Sequence, residues 1–214
     1  MPAAREPSPW GPLRRHPWVL GVAVLLAVAA VVVGALGGFA RTTPEGLRAV
    51  DPGERVEVTP FEIRLDRASA AYEVAGDLAD EGRAFVVVEG TLALTAPESV
   101  ERTVLGEAFA ADLRSTYTFF DGPEEEGAPT TVHVAEDGSE LLGIGPGLTY
   151  DVLLVWEIDE PAVPTTMTVA LREHTWRPSF LDGIPGWFAP EPVARVTLEI
   201  APLPDERPVE EDLL

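Results

Sequence analysis

Twenty-two consecutive residues without a charged side chain, Trp18–Phe39 (WVLGVAVLLAVAAVVVGALGGF), constrain this chain more than any other feature. As a helix the run spans roughly 33 Å, enough to cross a hydrocarbon core of about 30 Å. A core helix of a soluble protein rarely runs so long without a polar face, so the sequence predicts a transmembrane helix over 18–39. Arg5, Arg14 and Arg15 precede it against the single acid Glu6. The positive-inside rule then places the N-terminus in the cytoplasm and Arg41–Leu214 outside. Trp18 and Phe39 stand at its ends, where interfacial aromatics anchor a span. Gly34 and Gly38 have the small-residue spacing that lets two helices pack, so a homodimer through the helix is one option. A cleaved secretory signal is the rival reading, with Gly38-Phe39-Ala40 offering cleavage after Ala40. Signal cores usually hold about 7–15 apolar residues, and the greater length here favours an uncleaved anchor.

The chain carries 15 basic and 36 acidic residues. The first forty residues hold three Arg and one Glu, which leaves 12 basic and 35 acidic residues beyond them, near −23. Such a charge repels nucleic acid and anionic headgroups. Every basic residue is Arg, and Lys, Asn, Gln and Cys are absent, a bias resembling that of GC-rich actinobacterial genomes. Without Cys there is no disulfide, thiolate metal site, cysteine nucleophile or lipidated cysteine anchor.

Pro-rich Met1–Pro17 reads as a disordered cytoplasmic tail and 40–53 as a stalk. From residue 54 the hydrophobic period becomes two, which is the signature of strands. Val56 and Val58 alternate with Glu57; Phe61, Ile63 and Leu65 alternate with Glu62 and Arg64. The phase flips at Thr59-Pro60, where a bulge or edge switch is expected. Further strands are read at Ala84–Thr95, Leu113–Phe120, Thr130–Ala135, Leu148–Ile158, Met167–Leu171 and Val196–Ile200, with at most a helical turn over Ala108–Leu113. Segment 202–214 reads as an acidic disordered tail. About seven short strands with Gly/Pro turns argue for an immunoglobulin-like antiparallel β-sandwich over 54–201. Trp156 would be its buried inter-sheet tryptophan.

Ala84–Leu94 (AFVVVEGTLAL), Gly145–Pro161 (GPGLTYDVLLVWEIDEP) and Thr166–Leu171 carry a resemblance. In that order they resemble the "fvvv.v.v" and "l.PG…..lvw.vP" elements of membrane-anchored or lipoprotein accessory domains of Gram-positive bacteria, domains of unknown function with an immunoglobulin-like sandwich. The chain departs from that pattern at Thr95-Ala96-Pro97, where an Asn often stands, and in a longer segment around Trp176–Pro192. The resemblance implies a fold and a location and lends no catalytic residue.

Catalytic or metal chemistry has few candidates. Outside the membrane only His133 and His174 offer a base. His133 is expected to point to solvent, opposite Val132 and Val134. His174 precedes Ser179 by five residues, but no Gly-x-Ser-x-Gly elbow surrounds any Ser. Two isolated His make no zinc site, and no H-E-x-x-H exists. Asp121, Glu124, Glu125 and Glu126 cluster in one loop and Glu136, Asp137 and Glu140 in another, without the rhythm of a calcium loop. No catalytic, cofactor-binding or metal residue is therefore assigned, and no cofactor is expected.

One stretch is unusual: His174–Pro190 (HTWRPSFLDGIPGWFAP), read as a connection too long for a hairpin. Trp176, Arg177, Phe180, Asp182, Trp187 and Phe188 form a candidate partner-binding loop, because aromatics and Arg anchor interfaces. A lid folded over the sandwich end is the reading preferred for the same residues, with the interface kept beside it, and Arg177 is expected to pair with Asp182 in either case. The chain is thus expected to be a non-enzymatic interaction or accessory domain of the bacterial envelope, held by a single membrane pass beside another envelope or membrane protein. A carbohydrate-binding or hydrolytic envelope protein, secreted or anchored, is the alternative, and a calcium-dependent adhesion domain a third.

Overall fold

The computed structural model describes residues 47–113 and 127–208. Alternating apolar and polar residues fold there as strands. In chain order these are β1 (Arg48–Val50), β2 (Arg55–Val58), β3 (Phe61–Ala71), the short β4 (Glu73–Val74) and β5 (Asp77–Leu78), β6 (Arg83–Leu94) and β7 (Val100–Glu101). A six-residue helix α1 (Arg102–Glu107) follows, then β8 (Phe109–Ala111), β9 (Thr131–Val134), β10 (Gly143–Ile144), β11 (Thr149–Asp159), β12 (Thr166–Pro178) and β13 (Pro185–Ala201). The helix thus precedes the expected site, and Ala108–Leu113 supplies a strand instead. The strand expected at Leu113–Phe120 lies outside the described residues beyond Leu113, as does most of the acidic loop after it. Among the described residues no helix is long and apolar enough to cross a membrane; Trp18–Phe39 lies outside them.

The sheet is one hydrogen-bonded path, β8-β12-β13-β3-β6-β11-β9, with β1 added to β13 and β2 to β3. It curls so that two walls share one core. Phe61, Ile63, Val86, Leu92, Leu94, Val152, Leu154, Trp156 and Ile158 come from one wall, and Phe109, Met167, Val169, Leu171, Val196 and Leu198 from the other, all in one cluster. Each such side chain, fully buried, stabilises the fold by about 1.5–3 kcal/mol.

The expected purely antiparallel arrangement is corrected at β13. Ala194–Val196, past its middle, pair parallel with β1 (Arg48↔Ala194 to Val50↔Val196), and its last two residues pair parallel with β3 (Ile200↔Ala68, Ala201↔Ser69). β13 is therefore the fold line between the walls. Pairing also starts at Arg48 and puts Val50 into the core, within the segment read as stalk; the compact unit begins at Gly46. At its other end, Arg207 donates to the carbonyls of Ala79 (3.1 Å), Asp80 (3.0 Å) and Arg83 (2.6 Å) and lies over the Tyr72 ring, so the first residues after 201 are held to the sheet.

Two local features shape the walls. Thr59-Pro60, a cis peptide, is the turn of the β2–β3 hairpin (Val58↔Phe61), rather than a bulge. The bulge lies at Asp66, between Leu65 and Arg67. Opposite it, a Cβ on Gly90 would sit 2.2 Å from the Arg64 carbonyl oxygen, so only glycine lets β3 and β6 approach there. On the outer face of β6 and β11, Phe85, Val87 and Val155 are covered by Val74 and Ala79 from the β4–β5 segment. That cover explains why Phe85–Val88 is apolar on both faces.

Trp156 is fully buried, as expected, and its Nε1 donates to the Gly127 carbonyl at 2.8 Å. His133, expected in solvent, is buried instead. Its ring nitrogens lie 2.9 Å from the Gly138 carbonyl and from the Thr131 hydroxyl, which meet its polar needs inside the turn.

Candidate functional site

The stretch His174–Pro190 is not a long connection. It is the outer half of a β-hairpin, with β12 and β13 still in register at Thr175↔Phe188, Trp176↔Trp187, Arg177↔Gly186 and Pro178↔Pro185. The sequence hid this because both strands carry prolines and two register shifts, at Leu171/Arg172 and Glu173/Thr175. Ala189 takes a left-handed φ of 56° at the second shift. Neither outer edge of this ribbon pairs with another named strand, since β8 stops at Leu171 and β1 at Ala194. Pro178, Pro185, Pro190 and Pro192 remove donors from those edges, which discourages strand addition.

The hairpin divides into a seated stem and a free tip. At the base His174 is buried, its backbone N–H donates to the Thr59 carbonyl at 2.7 Å, and its Nε2 lies 3.5 Å from a Glu107 carboxylate oxygen. Trp187 packs against the core, while Trp176 across from it is 41% exposed. The two rings meet with centroids 5.1 Å apart at 58°, a tilted aromatic pair. Arg177 lies over two rings, 4.6 Å from the Phe180 centroid and 4.8 Å from that of Phe188. Such cation–π contacts hold a guanidinium without any acid. Gly186 leaves room for the Phe188 ring, which lies 3.1 Å from where a Cβ would stand.

The expected Arg177–Asp182 pair does not form. Asp182 turns back into its own turn, where its Oδ1 accepts the Ile184 N–H at 3.1 Å. That amide, with the Ser179 side chain second, holds the Asp182 carboxyl below its ordinary value. The remaining turn bonds run from Ser179 N–H to the Ile184 carbonyl (2.9 Å), from Gly183 N–H to the Ser179 carbonyl (3.1 Å) and from Leu181 N–H to the Ser179 hydroxyl (3.2 Å). Gly183 adopts φ +74°, a conformation that disfavours other residues.

Phe180 (91%), Leu181 (98%) and Ile184 (64%) are left exposed at the tip. Leu181 and Ile184 were not singled out from the sequence. The signal was present, since an Asp-Gly pair marks a turn apex and apolar residues flank it on both sides.

Ser179 belongs to this turn, about 16 Å of strand from His174, and its hydroxyl accepts the Leu181 amide. His174 and Ser179 are therefore not brought together. In the acidic turn near His133, Asp137 accepts from the Ser139 amide (3.0 Å) and hydroxyl (2.7 Å), and Glu140 pairs with Arg102 at 2.9 Å. Asp121 and Glu124–Glu126 lie outside the described residues.

No family model matches the chain, and no curated protein matches it. Among solved structures it is similar to an uncharacterized β-sandwich protein from Clostridium difficile 630, at 11% identity over 74% of this chain and 97% of that one, with a TM-score of 0.45. It is also similar to "a putative lipoprotein" from Staphylococcus aureus subsp. aureus NCTC 8325, at 9% identity over 72% and 96%, with a TM-score of 0.41. Any functional reading rests on the hairpin itself.

Proposed function

We propose that this chain is a single-pass membrane protein of the bacterial envelope that displays a non-enzymatic, immunoglobulin-like interaction domain outside the cytoplasm. Its β12–β13 arm is the element that meets a neighbouring membrane protein. The observation that carries this reading is the division of the arm. Trp187 and His174 seat the stem on the core, while Trp176 and Arg177 present an aromatic and cationic surface. Buried aromatics and Arg contribute most to binding at interfaces. In a domain of strongly negative charge, residues 174–190 hold one Arg and one Asp and are formally neutral, so a partner need not carry a basic face to approach. Support for the anchor comes from the uncharged run Trp18–Phe39 and its basic flank. The buried Trp156 between the two walls supports the immunoglobulin-like assignment.

The test is site-specific photocrosslinking from position 176 in native membranes, with position 201 at the far end of β13 as the control. One discrete adduct from 176, absent from 201 and lost in an Arg177→Ala chain, is the expected result. Equal or no crosslinking from both positions would remove the arm from the interaction.

A further inference from the structure

We propose that the tip of the arm, formed by Phe180, Leu181 and Ile184, seats in the headgroup–acyl boundary of the lipid bilayer in which the chain is anchored. This rests on the anchored reading above and adds lipid at the tip to the protein contact of Trp176 and Arg177, which then lies at the level of the membrane surface.

Three observations point to lipid as the occupant. First, part of the tip's backbone polarity is met within the turn. The amides of Ser179, Leu181, Gly183 and Ile184 find acceptors within the turn, that of Ile184 on Asp182 Oδ1. A lipid-facing segment needs this, because hydrocarbon supplies no partner to a free amide. Second, the order of residues away from the tip matches a membrane interface. Three exposed apolar side chains come first, then Arg177 over Phe180 and Phe188, then the Trp176–Trp187 pair. Trp favours the headgroup level, and Arg reaches back to it from an apolar surround.

Third, chain direction and length agree. β1 runs parallel to β13, so its N-terminal end points toward the tip of the arm. From Ala194, opposite Arg48, back to Pro185 are nine residues of strand, about 30 Å. From Phe39 to Arg48 there are also nine residues, an extended reach of about 30 Å. A tether with the same reach as the arm, joined to the end of β1 that faces the tip, allows the tip to touch the surface where the span ends. The headgroups it meets are expected to be zwitterionic, since the exterior part, near −23, is repelled by anionic lipid.

The chain has no cysteine, so Leu181→Cys and Ala201→Cys each give a single thiol for an environment-sensitive fluorophore at an exposed position. Each full-length chain is reconstituted into phosphatidylcholine vesicles and into vesicles containing phosphatidylglycerol, and its flotation is checked. With the chain floating, a blue-shifted probe at 181 that loses most of its emission to doxyl-labelled lipid, beside an unaffected probe at 201, is the expected result. The effect should be weaker with phosphatidylglycerol and recover with salt. A floating chain whose 181 probe stays as wet as the 201 probe overturns the lipid contact and spares the anchor. A shift at 181 that needs an added membrane extract assigns the tip to protein and overturns it too. A chain that does not float at all overturns the anchored reading, and this inference with it.

Discussion

The Trp156 indole and the Gly127 carbonyl are joined by a buried hydrogen bond of 2.8 Å, and the same carbonyl accepts the Ala111 amide at 2.7 Å. One carbonyl oxygen thus ties the centre of β11 to β8 in the opposite wall. Trp156→Phe removes the donor and part of the ring but leaves the carbonyl partnered by Ala111. It is expected to cost about 1–3 kcal/mol in denaturant unfolding. Gly127→Ala is expected to cost more, at least about 3 kcal/mol. Its φ is +96°, and a Cβ would stand 2.1 Å from the Ala111 carbonyl oxygen. A smaller loss for Gly127→Ala than for Trp156→Phe would contradict this arrangement.

The facing tryptophans of the arm should behave differently. Trp187→Ala opens space against the core and is expected to lower stability by about 1–3 kcal/mol, less than a fully buried ring. Trp176→Ala removes an exposed ring and should change stability by less than about 1 kcal/mol. Thermal unfolding of the two chains checks this, and equal losses would mean that the arm is seated along its whole length.

The turn of the arm should be sensitive to acid. Because the folded Asp182 carboxyl lies below its ordinary value, its support for the turn is fully present above the unfolded value of about 3.9 and fades as pH falls through the folded one. Amide exchange at Ile184 is therefore expected to quicken relative to core amides at the acid end. Asp182→Ala should show the fast rate at every pH, and an unchanged rate in that chain would disprove the role given to the carboxylate.

At the opposite limit of pH, Tyr72 donates to Glu160 at 2.9 Å. That hydrogen bond, then burial and the charge of Glu160, hold the phenol above its ordinary value, against the weaker opposing effect of Arg207. The contribution is complete below about pH 10 and is lost as pH rises through the folded value. Glu160→Gln removes the charged acceptor and should bring the Tyr72 transition downward. With three tyrosines in the chain, tyrosinate absorbance resolves the change.

Strong alternation made part of this fold legible. β6 and β11 pair along eleven positions with the faces their sequences announce, and Trp156 lies where the periodicity of β11 puts it. Where small or polar residues carry the pattern, it faded. The second half of β3 (Arg67–Ala71) is Arg-Ala-Ser-Ala-Ala behind a bulge that reverses the phase, and Ala68 and Ala70 are the inward residues. His133 reads as an outward residue by alternation alone, because nothing local reveals that Gly138 and Thr131 will meet its ring. The arm was visible as an aromatic cluster and invisible as a hairpin, since prolines and register shifts erase the period of two. Its tip is not legible in the sequence, because exposure is set by how far the ribbon projects, a tertiary property.

The parallel seating of β1 on β13 has a mechanical meaning. For tension directed along the β1 axis, the bonds between Arg48–Val50 and Ala194–Val196 bear it together, in shear. A strand leaving at right angles would instead be unzipped one bond at a time. A pull from the N-terminal side that follows β1 therefore meets the sturdier geometry, and one across it the weaker.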